Sequence, residues 1–150
     1  MKLFGFVAIV FSLLLGGSQS KGPALASQKV MAFIGVKDAK AAKAFYNEKL
    51  GLKLVSEEMG AMMLDSNGIR FRVQVVPDMT PAKYTVLGWE VEDVEATIKD
   101  LAKRGVSFQR FDGLKQDALG IWSPGGGIKL AWFLDPSGNI LSITQFPKAR

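Results

Sequence analysis

The chain has 150 residues, 48% apolar and 22% charged, with a net charge of +5, which suits one globular domain with a substantial core. It contains no cysteine and no histidine. That excludes a disulfide framework, a thiolate nucleophile, a Ser-His-Asp triad and any imidazole-based metal site.

The chain opens MKLFGFVAIVFSLLL, one lysine followed by an apolar run that Gly16, Gly17 and Ser18 end. This is the layout of a signal peptide, and the run is shorter than a membrane-spanning helix needs. Residues 1–26 are read as that leader, with cleavage after Ser20 or after Ala26; Pro23 favours the second. An uncleaved anchor is the alternative. Cutting after Ala26 removes Lys2 and Lys21 and no acid, so the charge falls to about +3. The mature protein is expected to be exported, periplasmic or secreted, with no membrane association. No Lys/Arg cluster interleaves with aromatics, so nucleic acid is not an expected partner.

Residues 27–150 are expected to form one α+β domain of two tandem βαβββ modules, at 29–77 and 84–146. Residues 29–36 (KVMAFIGV) and 84–91 (YTVLGWEV) read as strands. Asp38 and Asp93 follow as helix N-caps, because a carboxylate there accepts a free backbone N–H and suits the helix dipole. Ala42, Phe45, Tyr46 and Leu50 recur at helical spacing in the first half, as do Val94, Ile98 and Leu101 in the second. Gly51 and Gly105 stand where a left-handed residue ends a helix. Val36-Lys37-Asp38-Ala39 and Val91-Glu92-Asp93-Val94 are near copies, so the chain repeats itself.

Three strand-like runs follow each helix: 53–57, 61–64 and 69–76, then 106–111, 128–134 and 140–145. Asn67-Gly68 is a hairpin signal, and Asp135-Pro136-Ser137-Gly138-Asn139 makes the last turn. The glycine-rich stretch 112–127 reads either as a mobile flap over a cavity or as a plain surface loop.

Val36-Lys37-Asp38, Phe45-Tyr46 and Leu50-Gly51-Leu52 resemble the first-module signature of the vicinal oxygen chelate superfamily, which includes glyoxalases, bleomycin resistance proteins and extradiol dioxygenases. Val91-Glu92-Asp93-Val94 with Leu101 and Gly105-Val106 resembles the second signature, and 135–139 resembles the closing turn. The likeness covers about residues 29–146. Gly120-Ile121-Trp122 and Ala131-Trp132-Phe133 resemble a subgroup labelled only glyoxalase-like. The resemblance implies a curved, half-open mixed sheet with helices outside, and a homodimer is common in the family. Metal-dependent members hold a divalent ion in the cup. Their ligand positions fall here at Met31, Gln74 (or Arg72 after a two-residue slip), Val86 and Ser142. None is histidine or carboxylate, so no metal and no other cofactor is expected.

Strand alternation gives these positions shared faces with Phe33, Arg70, Arg72, Gly88, Glu90, Ile140 and Thr144. The other face carries Ile34, Val36, Phe71, Val73, Val75, Leu141 and Ile143 and suits a core. Arg70 and Arg72 either bind a carboxylate or phosphate or guard a solvated edge strand. Glu90 is a candidate general base, or the internal partner of one arginine. Trp89, Trp122 and Trp132 either stack on a planar ligand or pack in a core or interface. The expected ligand-binding set is Met31, Phe33, Arg70, Arg72, Gln74, Val86, Glu90, Trp122, Ser142 and Thr144. The function expected is metal-free binding of a small anionic or planar molecule. The alternative is a lyase, isomerase or dioxygenase-type enzyme with an unconventional metal site or Glu90 chemistry.

Overall fold

The computed structural model describes residues 25–148. The leader read at 1–26 falls outside them except for its last two residues, which belong to a short 3-10 turn, Leu25–Ser27. The first module runs β1 (Ala32–Val36), α1 (Ala39–Lys43), a π-helical continuation (Ala44–Lys49), β2 (Lys53–Glu58), β3 (Ala61–Ser66) and β4 (Ile69–Val75). The second runs β5 (Thr85–Glu90), α2 (Val94–Lys103), β6 (Trp122–Gly125), β7 (Ile128–Leu134) and β8 (Ile140–Gln145).

Each module makes its own four-stranded sheet, in the orders β1-β4-β3-β2 and β5-β8-β7-β6. The first strand pairs parallel with the last in both, β1 with β4 and β5 with β8, and the remaining pairs are antiparallel. The repeat is therefore a repeat of topology. Local chemistry explains its joints. Asp38 accepts from Ala41 N at 2.6 Å and Asp93 from Ala96 N at 2.9 Å, which caps both helices. Asn67 and Gly68 both take positive φ, the two-residue turn that matches the twist of a hairpin.

Both sheets turn their apolar faces into one core. Ile34, Val36, Leu64, Phe71 and Val73 from the first meet Ala131, Phe133, Leu141 and Ile143 from the second, with Phe45, Tyr46, Ile98 and Leu101 from the helices. The alternation read for β1 and β4 holds, with Val75 only half-buried; in β8 Ser142 is buried along with Leu141 and Ile143. The helices also clasp each other's ends. Lys49 Nζ donates to Gly105 O at 3.3 Å, while the Arg104 guanidinium lies over Gly51.

Two sequence expectations require correction. Residues 106–111 are not a strand; they make one bridge, Phe108 to Phe133, beside a bond from Gln109 N to Trp132 O of 2.7 Å. The edge strand is instead β6, inside the stretch read as a flap or loop. The Gln116 side chain explains the exchange. Its amide accepts from Phe111 N at 2.7 Å and donates to Gln109 O and Gly120 O, taking up backbone groups that a strand would pair. Asp117 accepts from Leu119 N and Ile121 N, and buried Ile121 anchors the stretch. A dense set of hydrogen bonds thus holds it, and the edge of β7 is left to Trp122.

The closing turn is the polar joint between modules. Asp135 is buried and accepts from Tyr46 OH at 2.8 Å, from the backbone N–H of Ser137 and Asn139, and from Asn139 Nδ2. Asn139 Nδ2 also donates to Gly35 O at 2.8 Å, and Lys37 N donates to Ser137 Oγ at 2.9 Å. Burial, reinforced by the Asp135 carboxylate, pushes the Tyr46 hydroxyl far above its ordinary value of 10.0. The unfolded chain therefore loses the tyrosine proton near pH 10 while the folded chain keeps it. This contribution is intact below pH 10 and is lost as pH rises. The stability advantage of the native chain over Tyr46→Phe is expected to shrink by about 1.4 kcal/mol per pH unit above 10. Urea unfolding of both proteins between pH 8.5 and 11 measures it; parallel curves would remove this role from Tyr46.

Candidate functional site

The faces turned away from the core carry the candidate residues. On the first sheet Phe33 pairs with Arg72 and Gly35 with Gln74. Phe33 is 61% exposed, and Met31, 45% exposed, stands just before β1, which starts later than the expected residue 29. A cavity of about 330 Å³ gathers Lys29, Val30, Met31, Gly68 and Arg70, two cations beside a thioether. Arg72 is engaged elsewhere: its Nη1 lies 3.2 Å from Glu58 Oε2 on β2.

On the second sheet Gly88 pairs with Ser142 and Glu90 with Thr144. Leu130 and Trp132 stand opposite Thr144 and Ser142 on β7, and Trp122 opposite Leu130 on β6. Residues directly opposite share a face, so Trp122 and Trp132 belong with Ser142. Their rings lie 6.0 Å apart at 35°, and Phe111 meets Trp132 edge-on at 5.6 Å. Trp132 Nε1 donates to Thr85 Oγ1 at 3.1 Å. The result is an aromatic platform with one ring fixed by a hydrogen bond.

Trp132, Phe111 and Thr85 stand outside the set expected from the sequence. Trp132 carried a usable signal, because the turn at 135–139 fixes its register opposite Ser142. The register shift between Thr85 and Leu87 carried none. It leaves Val86 without a cross-strand partner and sets Thr85 beside Ile140. The expected pairing of Glu90 with Arg70 or Arg72 is not formed. Among the described residues Glu90 makes no ion pair or hydrogen bond, and Arg72 takes Glu58 instead. Trp89 belongs to the core side, stacked on Phe133 at 6.3 Å and 20°.

The metal positions that the resemblance implies do not fit a divalent ion. Met31 offers a thioether, Val86 nothing, and Gln74 a neutral amide. Ser142 is 6% exposed, and its Oγ lies 2.6 Å from where a Cβ on Gly88 would stand. Among the described residues no three of His, Cys, Asp and Glu gather as ligands. Among the described residues the best-formed cavities do not join the two candidate faces. Glu90 lines two of them, one with Ser66 and Trp89 and one with Phe146 and Lys148, neither containing Arg70 or Ser142.

The model of one family matches residues 28–143, and its description is the glyoxalase/bleomycin resistance protein/dioxygenase superfamily. The chain belongs to this superfamily. Solved structures agree in fold. TnmS3, an antibiotic binding protein from Streptomyces sp. CB03234, is 28% identical with a TM-score of 0.59, covering 81% of this chain and 97% of its own. A glyoxalase family protein from Bacillus anthracis gives a TM-score of 0.62 at 16% identity, covering 80% and 95%. A glyoxalase/bleomycin resistance protein/dioxygenase from Alicyclobacillus acidocaldarius gives 0.59 at 22%, covering 79% and 91%. No curated protein matches the sequence. The superfamily accounts for the two sheets and the closing turn; its metal chemistry does not transfer to Met31, Gln74, Val86 and Ser142.

Proposed function

We propose that this superfamily member is an exported binding protein that takes a small planar anion without a metal. The observation carrying the reading is the Trp122–Trp132–Phe111 platform on the outer face of the second sheet. Such a surface stacks on a flat ring system. The Lys29–Arg70 cavity on the first sheet supplies positive charge suited to a carboxylate or sulfonate. TnmS3, similar in fold and 28% identical, is an antibiotic binding protein, which supports ligand capture rather than turnover.

The two halves of this site lie on different sheets, and a homodimer would bring them together. In it the first sheet of one copy faces the second sheet of its partner. Exposed Met31, Phe33, Ile69 and Tyr84 support such a contact, since apolar side chains of this size gain by burial. Sedimentation of the native chain and Phe33→Glu tests the assembly; the variant is expected to be a monomer.

Binding is tested with 2-naphthalenesulfonate and 2-naphthol as planar probes. Arg70→Glu is expected to weaken the sulfonate about tenfold or more and the naphthol less than about twofold. Trp122→Ala is expected to weaken both about tenfold. Equal losses of both probes in Arg70→Glu would overturn the anion assignment. Unchanged binding in Trp122→Ala would overturn the platform.

A further inference from the structure

We infer that the seam between the modules holds a second ligand site, for a small uncharged aromatic molecule. A cavity of about 220 Å³ opens there, walled by Leu50, Leu52 and Ser66 of the first module and by Trp89, Leu101 and Phe133 of the second. It is distinct from the outer platform, because Trp89 and Phe133 belong to the core side of β5 and β7.

Three features select the occupant. The volume suits a single substituted ring; an apolar cavity of about 150 Å³ already accepts benzene. Trp89 and Phe133 lie nearly parallel, so a flat molecule entering beside them meets an aromatic wall. Charge is disfavoured. Among the described residues the only ionisable one in the lining is Glu90, which shares its face with Thr144 rather than with Trp89. The carboxylate repels anions, and because it faces away with Thr144 a cation inside would be desolvated against walls whose polar groups there are the neutral Ser66 and Thr97.

One polar group is placed to orient the guest. Ser66 Oγ accepts from Trp89 Nε1 at 3.0 Å across the seam. Its own proton has no acceptor among the described residues, so it can donate to a phenol, ether or carbonyl oxygen. Thr97 Oγ1 donates to Asp93 O at 2.7 Å and keeps its lone pairs for a hydroxyl. The preferred guest therefore carries one oxygen on one ring. Because the walls come from both modules, such a guest stabilises their packing by mass action.

The three indole N–H groups separate this site from the outer platform in one experiment. The native chain, labelled with 15N in its tryptophans, is titrated with p-cresol and with toluene. The Trp89 indole resonance is expected to shift saturably, with p-cresol binding at least threefold tighter than toluene, while Trp122 and Trp132 stay in place. Leu52→Trp and Thr97→Leu fill the cavity from opposite walls. Each is expected to weaken p-cresol at least tenfold while leaving the naphthalenesulfonate response of Trp122 unchanged. Two variants are used so that one poorly folded protein does not decide the matter. No Trp89 shift up to 10 mM probe, about the weakest affinity of interest here, would overturn the proposal. So would an undiminished shift in both filled variants. Failure of the platform reading would instead show at Trp122 and Trp132, leaving Trp89 to report independently.

Discussion

Asp135→Ala is expected to cost about 3 kcal/mol or more. The carboxylate is buried and accepts four hydrogen bonds, from Tyr46 OH, the N–H groups of Ser137 and Asn139, and Asn139 Nδ2. Each donor left without a partner in the interior costs about 1–3 kcal/mol, less whatever water recovers. Domains of this size are stable by only about 5–15 kcal/mol. Asp135→Asn is expected to fall between, because its amide supplies one acceptor and presents donors to donors. Urea unfolding followed by far-UV circular dichroism reads both. A loss below about 1 kcal/mol for alanine would show that the closing turn is held by its backbone alone.

Phe133→Ala is expected to be as severe, about 3–5 kcal/mol. The ring is 1% exposed and touches aromatic partners from three directions: Phe45 on the first module's helix at 6.3 Å, Trp89 on β5, and Phe108 at 5.4 Å. Its loss opens a cavity that residues from both modules line, so neither can collapse into it without shifting the other. Phe133→Leu keeps most of the volume and is expected to cost less than half as much. Thermal unfolding of the pair separates the two contributions. Equal destabilisation would assign the effect to ring stacking rather than to volume.

Much of the fold was legible because its determinants are local. Asp38 and Asp93 act within three residues, Asn67-Gly68 within two, and the alternation of β4 shows in seven consecutive residues. The edge of the second sheet was not legible. Residues 106–109 alternate as a strand should, whereas Trp122-Ser123-Pro124-Gly125 has loop composition and is tolerated as a strand only because an edge accommodates proline. The side chain of Gln116, outside both segments, decides between them. Site residues followed the same division. Parity placed Phe33, Arg70, Arg72, Ser142 and Thr144 on their faces. It could not reveal that Glu58 takes Arg72, that the register shift displaces Val86, or that Trp89 and Ser66 meet across the seam. Those depend on how strands and modules lie against one another.

The joint at the closing turn also orders events in time. Gly35 O and Lys37 N find their partners in Asn139 and Ser137, 104 and 100 residues downstream. A nascent first module therefore emerges with the end of its first strand unsatisfied and its Tyr46 hydroxyl without an acceptor. It cannot be completed until the last strand connection has been made. Such distant closure slows folding, since loop entropy is lost before the contacts repay it. A chain cut after residue 77 is thus expected to stay open and sensitive to protease, while the full chain closes in a single late step.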